Sequence, residues 1–221
     1  MQIITDNAGF ILQGLWVTLA LTVLGFAGAL VLGTVVAICR VSPVTPLRAL
    51  GTAYVEFFRN IPLLSLLILV VFGLPDVGLL LPLFWAGALS LVLSSAAFVC
   101  ETVHSGINTV SLGQSEAARA LGMGFWLQLR HVILPQAFSK MVQPLVNVFI
   151  GTVIGSSLCS AVGVSELTNI TQQLNIRYAE AVLLFLVSGV TYLVLALGSG
   201  AVGAAIERRI AGARHLKGAR V

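Results

Sequence analysis

Residues 111–138 read SLGQSEAARALGMGFWLQLRHVILPQAF, from Ser111 to Phe138, the longest charged, turn-containing segment between long apolar runs. Ser111 followed three residues later by Gln114 fits a capping box. Glu116 is expected in the first turn, where the helix dipole favours a carboxylate by roughly 0.3–1 kcal/mol. A short helix therefore starts near Leu112. Ala117, Ala118 and Ala120 favour its continuation, and Gly122 supplies a left-handed residue to close it after about three turns. At about 100° per residue, Ala117, Ala118, Ala120 and Leu121 share one side, with Glu116 and Arg119 together on the other. A second helical stretch, Phe125 to Leu134, places Phe125, Leu129 and Val132 on one face with Gln128, Arg130 and His131 interleaved, and Pro135 is expected to stop it. The segment reads as a cytoplasmic docking device.

What surrounds it is membrane-like. The chain has 221 residues, 58% hydrophobic and only 9% charged, where a soluble domain carries far more charge. A net charge of +4 raises the question of nucleic acid, but the basic residues are not gathered with aromatics on a polar face. The N-terminus carries Asp6 and no Lys or Arg before its apolar run, so a cleaved signal peptide is not expected. Cys39, Cys100 and Cys159 are far apart and lack metal or redox spacing, and His104, His131 and His215 are equally scattered. No disulfide framework or metal site is expected.

Five stretches are long enough to cross a hydrocarbon core at about 20 residues each. They run from Gly14 to Cys39, Ala53 to Leu74, Phe84 to Ile107, Phe138 to Ser160 and Ala179 to Ile206. An all-α polytopic membrane protein follows, read as one transmembrane domain over residues 1–221. Of the 12 Lys and Arg, all but Arg177 fall at or near one side when the N-terminus is placed outside. Cytoplasmic loops are the ones enriched in Lys and Arg, so the N-terminus is expected out and the C-terminus in. That puts Ser111–Phe138 in the cytoplasm.

Several polar residues stand out within or beside these spans. Glu101 is costly inside a membrane and is either a functional acid or an inter-helix hydrogen bond near the cytoplasmic end. Glu56 and Arg59, three apart on a helix, can pair. The fourth span is the most polar and glycine-broken, the composition of a helix that unwinds to line a pathway. It offers Asn147, Thr152, Ser156 and Ser157 as lining, with small-residue packing as the competing reading. Gly14 and Thr18 are open between helix contact and function. Outside, Glu166 and Arg177 are candidates for a gate or for docking a binding protein. The tail with Arg208, Arg209, Arg214, Lys217 and Arg220 reads as an anchor on an anionic lipid leaflet.

Glu116-Ala117-Ala118, Gly122 and Ile133-Leu134-Pro135 resemble the EAA loop of membrane subunits of bacterial ATP-binding-cassette importers. The fuller EAARALGM with ILPQAF is similar to the polar amino-acid uptake subfamily, as are Gly14 with Thr18-Leu19, Phe58-Arg59-Asn60-Ile61-Pro62 and Glu166-Leu167. The family usually shows arginine where His104 stands, and a Lys and an acid where Ile154 and Gly155 stand. The resemblance implies a type I importer permease fold in the bacterial inner membrane. It also implies that the segment is a coupling helix seated in a cleft of the ATPase, with Gln114, Glu116, Ala117, Ala118, Arg119 and Gly122 at the contact.

The implied function is the permease subunit of an ATP-driven importer of polar amino acids, with glutamate or glutamine favoured. Lys140 and Lys217 are followed by Met141 and Gly218, so the chain has no phosphate-binding G-x4-G-K-[ST] loop and cannot hydrolyse ATP itself. ATP and Mg belong to a partner ATPase, and no cofactor is expected on this chain. Other implied partners are a second permease, identical or similar, an extracytoplasmic amino-acid-binding protein and membrane lipid, but no nucleic acid. The alternative is a transporter or channel driven by an ion gradient, with Glu101 as a proton or sodium site.

Overall fold

Inside hydrocarbon every backbone N–H and C=O must find a partner within its own segment, so long apolar runs fold as helices. The computed structural model describes residues 2–218, and all regular structure among them is helical. In order these are α1 (Gln2–Asp6), α2 (Ala8–Val41), α3 (Thr45–Asn60), α4 (Leu63–Ile68), α5 (Leu74–Asp76) and α6 (Leu83–Asn108). There follow α7 (Leu112–Ala120), α8 (Phe125–Gln128), α9 (Leu134–Ser156), α10 (Leu167–Tyr178) and α11 (Ala181–Gly218). The side chains of Arg214, Lys217 and Arg220, and so most of the basic tail, lie outside the described residues.

Among the described residues four helices are long and apolar enough to cross a membrane, and a bent pair taken as one span makes the fifth. The sequence predicts one helix from Ala53 to Leu74. Instead α3 and the α4–α5 run meet at 103°. Pro62 is the cause: it drives Ile61 into the extended region, at φ −81° and ψ 130°, and α3 ends there. The fourth span also differs from expectation. It does not unwind at Gly151 or Gly155 but stays helical through Pro144 and then tightens into a 3-10 turn, Ser157–Val162, closed by Gly163 at φ 89°.

Pro135 does not stop a helix either. A π turn, Leu129–Ile133, joins α8 to α9, and a second, Leu69–Gly73, joins α4 to α5 just before Pro75. Proline cannot donate to the carbonyl four residues back and crowds it; one extra residue in the turn relieves both conflicts and lets the helix continue.

Residue pairings fix the directions. Gly25 faces Leu91, Gly33 faces Ala96 and Val99, and Arg40 meets Glu101, so α2 and α6 run parallel. Their closeness depends on Gly33: a Cβ there would lie 2.6 Å from the Ala96 carbonyl oxygen. The bent α3–α5 segment must therefore return across the bilayer between them. Thr152 meets Ser95 and Met141 meets Gly106, so α9 runs antiparallel to α6. The core along this bundle is built of Ala29, Ala37, Val55, Ala96, Val99, Cys100, Ala137 and Met141. The α6–α9 turn, which holds α7, lies on the same side as the C-terminal ends of α2 and α6.

Candidate functional site: a docking helix and a polar cavity

α7 begins and ends where the alanines and Gly122 require. Its end is a Schellman closure: Met123 N–H donates to the Ala118 carbonyl at 3.1 Å and Gly122 N–H to that of Arg119 at 2.9 Å, with Gly122 at φ 75°. Its beginning corrects the sequence reading. Ser111 makes no side-chain cap, the Gln114 amide oxygen accepts from Gln136 Nε2 at 3.5 Å, and Glu116 lies beyond the first turn. Arg119 donates to the Ser115 hydroxyl at 3.4 Å rather than pairing with Glu116.

The faces also differ from the expected ridge. Ala118 alone is buried, at 4%, whereas Gln114, Glu116, Ala117, Arg119 and Ala120 are exposed. Leu112 and Leu121 project at the two ends, 78% and 82% exposed. What holds α7 to the body is Gln128, which the sequence shows only as an interleaved polar residue. It is buried, and its Nε2 donates to the Ser115 carbonyl at 2.6 Å and to the Ser115 hydroxyl. Its signal in the sequence is weak: a glutamine among Phe125, Leu129 and Val132.

A cavity of about 490 Å³ lies between α3, α4, α6 and α9. Ser94, Ser95, Asn147, Thr152 and Arg59 are its polar lining, with Phe58, Leu63, Leu91 and Phe98 supplying apolar wall. Thr152 bridges to the Ser95 hydroxyl at 2.9 Å and donates back to the Val148 carbonyl at 2.9 Å. Of the pathway candidates the structure thus brings Asn147 and Thr152 together. Ser156 and Ser157 do not line it; each hydroxyl returns to a carbonyl of its own helix, Val153 and Ile154, at 2.7 Å.

Glu101 belongs to a second cavity of about 400 Å³, lined also by Arg40, Glu56, Arg59 and Asn60. Glu101 Oε2 takes Arg40 Nη1 at 2.8 Å and Arg59 Nη1 at 3.4 Å. The Glu56–Arg59 pair expected from spacing is not formed; Arg59 turns across to α6, where its guanidinium also stands 5.8 Å from the Phe98 ring centre. Arg59 and Phe98 line both cavities.

At the opposite end of the bundle Glu166 is fully buried, not on an outer surface as expected. It caps α10, accepting from Thr168 N–H at 2.9 Å and Asn169 N–H at 2.8 Å. It also accepts from the Tyr192 hydroxyl at 2.6 Å and that of Thr18 at 3.4 Å. Thr18 accepts in turn from Leu167 N–H at 3.1 Å, and a Cβ on Gly14 would meet Ile170 at 2.7 Å. Gly14 and Thr18 are therefore a helix contact. Burial pushes the Glu166 carboxyl above its ordinary range, against the pull of its donors. Arg177 remains exposed, beside Asn7 and Gln173.

Known proteins share this arrangement. The model of the family described as binding-protein-dependent transport system inner membrane component matches residues 29–212. The probable glutamine ABC transporter permease protein GlnM of Bacillus subtilis is 43% identical over 73% of this chain and 75% of its own length. The glutamate transport system permease protein GluC of Corynebacterium glutamicum is 35% identical over 88% of this chain and 91% of its own. Among solved structures, an amino acid ABC transporter with histidines superposes with a TM-score of 0.87 at 31% identity, covering 93% of this chain and 96% of that one. The inward-facing MetNI methionine ABC transporter gives 0.75 at 26% identity, covering 93% and 98%. An exposed α7 closed by Gly122, five spans and these matches have one reading: the chain belongs to the family of inner-membrane components of binding-protein-dependent transport systems, as an ABC importer permease.

Proposed function

We propose that this permease carries polar amino acids of the glutamine and glutamate class inward, through a pathway that includes the cavity at Asn147 and Thr152. The observation that carries the coupling half of this reading is α7, a short helix presenting Gln114, Glu116, Ala117 and Arg119 to solvent while Gln128 ties it to the spans. ATP and Mg are used on a separate ATPase, whose closure moves α7 and, through the α8–α9 turn, the wall that bears Asn147 and Thr152. A second permease, identical or similar, completes the pathway about a two-fold axis, since five spans do not readily enclose one. An extracytoplasmic binding protein delivers the substrate, and exposed Arg177, with Gln173 and Asn7 around a 310 Å³ recess, is its proposed contact. The N-terminus lies outside and the C-terminus inside. The names of the relatives support the substrate class.

Ion-gradient coupling draws no support from Glu101, the acid named for it, because two arginines engage that carboxylate. The test is reconstitution with the ATPase and binding protein, followed by glutamine and glutamate uptake in liposomes. ATP-dependent uptake is expected, and Ala117→Trp, too wide for a narrow cleft, should abolish ATPase association. Uptake that persists without the ATPase and collapses with the ion gradient would overturn the proposal.

A further inference from the structure

Among the described residues Arg59 is the one charged side chain lining the larger of these two cavities. Its surroundings leave it under-used. Glu101 is shared unequally: Arg40 holds it at 2.8 Å and is 16% exposed, whereas Arg59 reaches it at 3.4 Å and is 43% exposed. A guanidinium presents five donors in a planar fork, and here one is spent on a long contact. Glu56, one turn back on α3, is exposed, forms no ion pair among the described residues and lines only the smaller cavity. Two arginines against the single carboxylate they touch leave a positive excess, and Arg59 is the member that faces the larger cavity. Beyond it lie Ser94 and Asn147, and the Ser95–Thr152 pair.

We propose that Arg59 is the ligand for the α-carboxylate of the transported amino acid, with Asn147 facing the substrate's side chain and Glu101 acting as the positioning residue that keeps Arg59 at the junction of the two cavities. This rests on the importer reading above and deepens it. A fork of donors matches a carboxylate in bidentate geometry, which a single ammonium does not. A site built around such a contact discriminates strongly against a ligand that lacks the group, because the donors are then left without a partner.

The test is a cycle between residue and ligand in the intact permease–ATPase complex in nanodiscs. Binding of L-glutamine is compared with its decarboxylated analogue γ-aminobutyramide, and L-arginine with agmatine, for wild type, Arg59→Gln and Arg59→Lys. Wild type is expected to bind each amino acid about tenfold or more tighter than its decarboxylated partner. Arg59→Gln should erase that preference by weakening the amino acids alone, and Arg59→Lys should restore part of it. An unchanged preference in Arg59→Gln, or equal weakening of acids and amines, would overturn the assignment; the second outcome would make Arg59 a structural clamp. Saturable binding absent from wild type would overturn it too, and uptake measured on the same preparation then reports separately whether the importer reading stands.

Discussion

Glu166 has the densest set of donors on any side chain described here, and they come from α2, the start of α10, and α11. Removing it in Glu166→Ala leaves the Thr168 and Asn169 amides without their acceptor and the Tyr192 hydroxyl with that of Thr168 alone, at about 1–3 kcal/mol for each group left unsatisfied. Thermal unfolding in detergent should show a clearly lowered midpoint. The pH dependence has a definite sign. The ordinary carboxyl value is 4.5 and the folded value is raised, so the folded state binds its proton more tightly. The stability this contributes is fully present below about 4.5 and is lost as pH rises through the raised value. The difference between wild type and Glu166→Gln, followed over that window, should therefore shrink as pH rises; growth with pH would contradict the assignment. In the sequence Glu166 is marked as polar and read as a gate or docking residue on an outer surface, which its full burial corrects. Its burial was not legible, because Thr18 and Tyr192 lie far away in the chain and no local pattern announces them. Glu101 and Arg59 teach the same point: spacing offered Glu56 as partner, and tertiary contact chose an acid on another helix.

Helix existence was legible from apolar run length, and the end of α7 from its alanines and Gly122. Breaks were harder: Pro135 was expected to stop a helix, Pro62 was read within an unbroken span, and the prolines in fact do three things. Pro62 bends a span, Pro144 sits inside α9, and Pro75 and Pro135 follow π turns that keep their helices going. What separates these outcomes is whether neighbours can accommodate a wider turn or an extended residue, which a single sequence does not display. The π turn at Leu129–Ile133 has a mechanical consequence: α7 is anchored through α8 to the same continuous helical rod that bears Asn147 and Thr152. The tie is Gln128. In Gln128→Leu the Ser115 carbonyl loses its side-chain donor while the site stays filled, and α7 keeps only packing and the longer Gln136–Gln114 contact. The expected outcome is uncoupling, with ATPase activity retained and uptake reduced several-fold per ATP hydrolysed. A change in both by the same factor would show that Gln128 stabilises the protein without transmitting motion.

At the scale of the molecule, α2, the returning α3–α5 run, α6, antiparallel α9 and then α11, whose Gly203 faces Val146 of α9, make five crossings. The start of α2 and the far end of the α11 span then lie on opposite sides, and α7 shares a side with the latter. Charge supports the proposal that the α7 side is the cytoplasm. Arg40, Arg48, Arg59, Arg119, Arg130 and Lys140 sit at the α7 side of their helices or in its turns, while Arg177 on α10 lies at the other end. The consequence can be read by labelling in intact cells. On a Cys39→Ser background, with Cys100 and Cys159 buried, exposed Gln172 on α10 and exposed Glu116 on α7 each accept a cysteine at the surface. A membrane-impermeant maleimide should modify Gln172→Cys in intact cells and Glu116→Cys only after permeabilisation. The reverse pattern would invert the topology, put α7 beyond the reach of any cytoplasmic ATPase, and remove the physical basis for coupling through it.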